Sequence, residues 1–337
     1  MCGDVTSRHL SPRLAFAIWA AAIPGAIPAF GVELALARPV PSIKQAAASE
    51  ARPDTQSKGS PSAPPDTTPP VAEPSPIQPQ GRAYLFRGAL GLIFSRGMDK
   101  LAAKIERAGM TANVYEFTIC NLITSTAIED YKRNPFPIIL IGHSMGGRCA
   151  LQFSETLRDE GIPVSLVVTI DPAHLSPDVP SNVERFINIF LSKDVLGGGD
   201  IKPSKGFGGH YASYDMAQHG EVLHINIDKM DLIHQQLVSK IEQIAVTPAK
   251  TEGEVVPLRF VVPPKADVEL WDSGAVVSAH AGDTLQTFAL LYHLPLWSLV
   301  QANKLQENAP LAAGQRVVIP RHLMPLIPAA EPVSQKR

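Results

Sequence analysis

The hexapeptide Gly142-His143-Ser144-Met145-Gly146-Gly147 sets a serine between glycines in the pattern Gly-x-Ser-x-Gly. A serine hydroxyl is a weak nucleophile until a base takes its proton, and that base needs an acid to hold its tautomer. The chemistry within reach is therefore acyl transfer through a serine, a histidine and a carboxylate. Downstream of Ser144 stand two acids near expected strand ends, Asp171 in Asp171-Pro172-Ala173 and Asp194 in Ser192-Lys193-Asp194. Two histidines, His224 and His234, come later still.

Such residues work only if the chain brings them to one rim. Short apolar runs predict strands over 83–86, 112–117, 137–141, 164–170, 186–191 and 222–227. Amphipathic patterns predict helices over 97–108, 147–159 and 232–244. Alternation of this kind makes an α/β fold, a parallel sheet covered by helices on both faces, with its ligand site at the carboxyl ends of the strands. The apolar strand 137–141 runs directly into the serine motif and a helix runs out of it, which is the strand, sharp turn and helix that lift a hydroxyl above a sheet edge.

On these residues the chain resembles the α/β-hydrolase superfamily, in its lipase, esterase and thioesterase branch. The resemblance implies a chain order of serine, acid and histidine. It favours Asp171, one strand after the nucleophile, with Asp194 as the alternate. It favours His224, just ahead of the closing helix, over His234, which lies inside that helix. It also implies an oxyanion hole built from the backbone N–H of Met145 and of Ala89, although Arg87 stands where that branch often has histidine. No cofactor is implied, and no metal, because the histidines lack ligand spacing. About 165 residues leave no room for a large lid or for two further leading strands, so the glycine-containing stretch 193–219 is the expected flap.

The flanking segments suggest where this chemistry takes place. Residues 1–37 carry basic, apolar and small-residue regions in the order of a secretory signal peptide ending at Ala37, which makes the mature protein periplasmic or wall-associated. Pro24, Pro28 and Glu33 break the apolar run before it reaches the roughly 20 residues of a membrane span. Residues 38–80 hold eleven of the 31 prolines and few large apolar side chains, the composition of an extended spacer. A net charge of −2 gives no pull toward nucleic acid. Cys120 and Cys149 can pair in an oxidising compartment if their geometry permits, although Cys149 reads as an inert buried residue on its helix.

After a proline-containing stretch read as a second linker, 248–272, the pattern changes. A strand, two short helices and a strand occupy fewer than 50 residues, with Leu285, Phe288, Ala289 and Tyr292 on one helical face. Gly282-Asp283-Thr284-Leu285, Asn303, and the run 311–320 ending in Pro320 resemble a LysM domain, placed at 273–321 and followed by a tail at 322–337. That resemblance implies a βααβ fold and binding of peptidoglycan or another N-acetylglucosamine (GlcNAc) polymer at Gly282, Asp283, Thr284, Asn303 and Leu305. The sequence thus predicts a hydrolase domain over 81–247 joined to a wall-binding module. The rival expectation is a hydrolase-like wall-binding protein without activity.

Overall fold

The computed structural model describes residues 81–89, 91–246 and 254–323. The expected signal peptide, the proline-rich spacer and almost all of the tail lie outside the described residues.

Seven strands build one wholly parallel sheet: β1 (Arg82–Arg87), β2 (Thr111–Glu116), β3 (Ile138–His143), β4 (Leu166–Ile170), β5 (Arg185–Phe190), β6 (His210–Asp215) and β7 (Leu258–Val261), in the order β2-β1-β3-β4-β5-β6-β7. The helices are α1 (Gly91–Phe94), α2 (Gly97–Arg107), α3 (Cys120–Arg133), α4 (Met145–Asp159) and α5 (Asp231–Val246). Strand side chains alternate between two cores. Leu85, Ile139, Ile141, Val168, Ile187 and Tyr214 pack with α2 and α5, while Tyr84, Phe86, Leu140, Val167 and Phe186 pack with α3 and α4. The purely apolar runs read from sequence follow from this, since a parallel strand buries both faces.

Two expectations about the sheet do not hold. Residues 222–227 form turns rather than a strand, because Leu223 and Ile225 project outward, and the last buried strand before α5 is β6. That strand was hidden in the stretch expected to be a flap, since His210 and Ser213 look like loop residues. Inside the fold most of this polarity is met: His210 Nδ1 lies 2.8 Å from Ser273 Oγ, although its Nε2 is buried without a hydrogen-bond partner among the described residues, and Ser213 Oγ donates to Asp200 Oδ1 at 2.5 Å. The second correction is β7, which comes from residues read as linker. It is a four-residue edge strand flanked by Pro257 and Pro263, and an edge is where proline can neighbour a strand.

Cys120 and Cys149 form a disulfide with Cα atoms 5.9 Å apart, joining the start of α3 to α4. Cys149 is therefore a bonded residue and not the inert thiol expected. Both helices pack on the same face of the sheet, which is the geometry the sequence left open.

The carboxyl-terminal unit is βααβ: β8 (Trp271–Ser278), α6 (Leu285–Leu291), α7 (Leu296–Asn303) and β9 (Arg316–His322), with β8 and β9 antiparallel. It shares a core with the large sheet. Trp271, fully buried, lies 5.0 Å from the Phe260 ring of β7 and 5.7 Å from Trp297 of α7. The Gln301 side chain accepts from the Val261 N–H at 2.9 Å and donates to the Val261 carbonyl at 2.8 Å, closing the edge of β7. Among the described residues no helix is long and apolar enough to cross a membrane.

Candidate active site

Ser144 sits at the carboxyl end of β3 with φ 57° and ψ −123°, the strained left-handed turn that presents a hydroxyl at a strand-to-helix corner. The turn is tight enough to require its glycines. A Cβ on Gly142 would lie 2.1 Å from the Gly146 carbonyl oxygen, and one on Gly146 would lie 2.1 Å from that of Phe86. Backbone bonds from Ser144 N to Ile170 O and from Ala173 N to Ser144 O, both 3.0 Å, tie the turn to the end of β4.

Asp171 follows β4 directly, fully buried and with φ 41°. Its Oδ1 accepts from the Leu191 N–H at 3.1 Å, and its Oδ2 lies 2.6 Å from His224 Nδ1. A carboxylate only accepts, so Nδ1 carries the hydrogen and Nε2 is left as the nitrogen able to take a proton. The His224 ring lies 4.8 Å, centroid to centroid, from that of His143, the residue preceding Ser144. Three loops, after β3, β4 and β6, thus bring Ser144, Asp171 and His224 to one rim.

The alternates fall differently. Asp194 accepts from the Leu196 N–H at 2.8 Å, and it, Asp171 and His224 each place one ligand-type atom within 4.8 Å of the others. It is thus a second carboxylate beside the imidazole. His234 is buried within α5, its Nε2 2.7 Å from the Asp228 carbonyl oxygen, and makes no bond to either acid.

The loop after β1 approaches the serine closely. A Cβ on Gly88 would lie 2.6 Å from Ser144 Cβ, so only glycine fits, and Ala89 follows it. Gly88's own N–H is taken by Ser95 Oγ at 3.1 Å. Met145 is the first residue of α4, where no intrahelical carbonyl can accept its N–H. Arg87, which departs from the pattern of the resembled branch, ties the loop down through Asp99 and through Glu116 at 2.8 Å.

Two buried groups were given no functional role by the sequence, and Asp228, which reads there as a solvated turn residue, is instead buried. His143 is 1% exposed, and burial, followed by the charge of His224, pushes its pKa down to about 3. Asp228 is fully buried where the loop carrying His224 meets α2. Its Oδ2 accepts from the Gly97 N–H at 2.8 Å, and burial raises its pKa to about 6. Their only sequence signal was position, one within the serine motif and the other four residues after His224.

In the carboxyl-terminal unit the expected glycan residues are largely committed to the fold. Asp283 Oδ2 accepts from the His280 N–H at 2.7 Å, and Thr284 caps α6 in a reciprocal box with Thr287. The Asn303 amide accepts from Val318 N–H at 2.7 Å and donates to the Val318 and Leu299 carbonyls at 2.9 Å each. Gly282 takes φ 92° at the exposed turn, and Leu305 is half-buried.

Comparison with known families finds a match in the carboxyl-terminal unit. Residues 280–320 match the LysM domain family, and the chain carries a LysM domain there. No curated protein sequence matches. Among solved structures, similarity extends to an esterase domain of a Rhodothermus marinus protein, with 15% identity over 50% of this chain and 89% of that one and a TM-score of 0.35. It extends also to the NocB thioesterase domain of the nocardicin cluster, with 16% identity over 56% and 84% and a TM-score of 0.27. A third is the RedJ thioesterase of the Streptomyces coelicolor prodiginine pathway, with 14% identity over 58% and 88% and a TM-score of 0.28. The parallel sheet, its strand order and the elbow at the end of β3 are those of an α/β-hydrolase fold.

Proposed function

We propose that the protein is a serine hydrolase that cleaves an ester or thioester and is held on peptidoglycan or another GlcNAc polymer by its LysM domain. The bond of 2.6 Å between His224 and Asp171, on the rim where the Ser144 elbow stands, carries this reading. In the reaction, Ser144 Oγ attacks the carbonyl carbon while His224 Nε2 takes its proton, and Asp171 steadies the imidazolium that forms. The Met145 and Ala89 N–H groups hold the oxyanion. As the tetrahedral intermediate collapses, His224 returns the proton to the departing alcohol or thiol. Water then attacks the acyl-serine with His224 again as base, releasing the acid and restoring the serine.

Large exposed apolar side chains on the segments that follow the strands at this rim favour an apolar acyl group. Ile93 follows β1, Leu175 follows β4, Val195 and Leu196 follow β5, and Leu223 and Ile225 flank His224, all exposed. Action in the periplasm or at the wall is supported by the Cys120–Cys149 disulfide, a bond suited to an oxidising compartment, and by the leader-like sequence of residues 1–37.

Ser144→Ala is expected to lower hydrolysis of a nitrophenyl ester by about 10⁴-fold or more, as when a triad nucleophile is removed. Undiminished turnover would refute the reading, and a wild-type protein inert to both ester and fluorophosphonate would leave the binding-only alternative. For the LysM domain, the full chain should be retained on insoluble peptidoglycan and released by soluble GlcNAc oligosaccharides. Retention that the oligosaccharides do not reverse would contradict glycan recognition.

A further inference from the structure

A chain of buried hydrogen bonds runs beneath the rim. The Gly88 N–H donates to Ser95 Oγ at 3.1 Å, Ser95 Oγ lies 2.7 Å from His143 Nδ1, and His143 Nε2 lies 2.8 Å from the His224 carbonyl oxygen. A carbonyl can only accept, so Nε2 carries the ring hydrogen; Nδ1 is then an acceptor and the Ser95 hydroxyl donates to it. Every link has one allowed direction. Ser95 and His143 are each 1% exposed, so water cannot readily replace either partner.

The ends of this chain are the parts that must face the nucleophile. One is the loop after β1, whose Gly88 abuts Ser144 and whose next residue is Ala89. The other is the turn that carries His224. The middle member, His143, is joined through its own backbone to Ser144. The bonds of His143, to Ser95 and to the His224 carbonyl, join these two segments.

We propose that His143 is a positioning residue that fixes the oxyanion loop and the base against the serine, through Ser95 on one side and the His224 carbonyl on the other. This rests on the reading of Ser144, His224 and Ala89 as the reacting groups. A histidine that only filled the core would affect stability, whereas a positioning residue affects the chemical step. Displacement on the order of 1 Å at a catalytic group can cost about 100-fold in rate.

The test is steady-state hydrolysis of a nitrophenyl ester by full-length variants, with the melting temperature measured on each. His143→Phe should lower kcat by roughly 10- to 100-fold with KM nearly unchanged. His143→Gln, whose amide N–H can still reach the His224 carbonyl, should recover part of that loss. Ser95→Ala, which leaves the histidine in place, should lower kcat several-fold. If His143→Phe does not fold, the Ser95→Ala value decides. Wild-type kcat in the folded variants, or a loss confined to KM, overturns the proposal. Should Ser144→Ala be inert while the His143 and Ser95 variants keep full kcat, this inference falls and the triad stands; an active Ser144→Ala would remove the triad itself.

Discussion

At the rim proposed as catalytic, the sequence motifs mark side chains that act on one another: Asp171 accepts from His224 Nδ1 and leaves Nε2 able to take a proton. In the LysM domain the motif marks side chains that build the scaffold. Asp283 folds the turn, Thr284 caps α6, and Asn303 staples α7 to β9. What that domain can offer a glycan is then mainly backbone shaped by those side chains, together with apolar neighbours such as Leu305. The difference means that substitutions should act on rate in one region and on folding in the other.

The largest effect should separate the two acids. Asp171→Asn is expected to lower kcat by about 10³-fold or more, by analogy with other triads, because His224 would lose the partner that sets its tautomer. Asp194→Asn, removing a carboxylate that has its own backbone donor, should cost less than about tenfold. Equal losses from kinetic assay would erase the distinction.

Trp271→Ala removes the buried aromatic shared by both units and should destabilise the protein by about 3–5 kcal/mol. Calorimetry should show a single transition shifted downward, as one core requires. Two separate transitions in the wild type would mean that the units fold independently.

Asn303→Ala strands the Val318 N–H and carbonyl and should cost about 2–3 kcal/mol. Retention on peptidoglycan should weaken only in step with the melting temperature. Lost retention at unchanged melting temperature would give the Asn303 side chain a direct glycan contact.

A smaller effect concerns Asp228. Its folded pKa, about 6, lies above its ordinary value, so the folded protein binds this proton more tightly than the unfolded chain does. That stabilisation is complete below about pH 4 and disappears as pH rises through 6. Asp228→Asn keeps an acceptor for the Gly97 N–H and carries no such proton. Its melting temperature, measured from pH 4 to 7, should fall less than that of the wild type; parallel curves would contradict this.

Much of this was legible in the sequence because it depends on local pattern. The apolar runs of β3 and β4 and the glycines around Ser144 announce their own geometry. Thr284 and Leu285 likewise mark the start of a helix. What was missed depends on partners distant in sequence. The polar strand β6 is buried because Ser273 and Asp200 meet His210 and Ser213, and β7 is held because Gln301 covers its edge. The disulfide needed two helices on one face, and the role suggested for His143 needed Ser95 and the His224 carbonyl.

The central claim is that His224, held by Asp171, makes Ser144 nucleophilic. Labelling with a fluorophosphonate, with the adduct located by mass spectrometry and its rate followed in wild type and His224→Ala, tests this directly. The account predicts one adduct, on Ser144, formed about 10³-fold or more slowly once the imidazole is gone. An adduct on another residue, or equal rates in the two proteins, would contradict it.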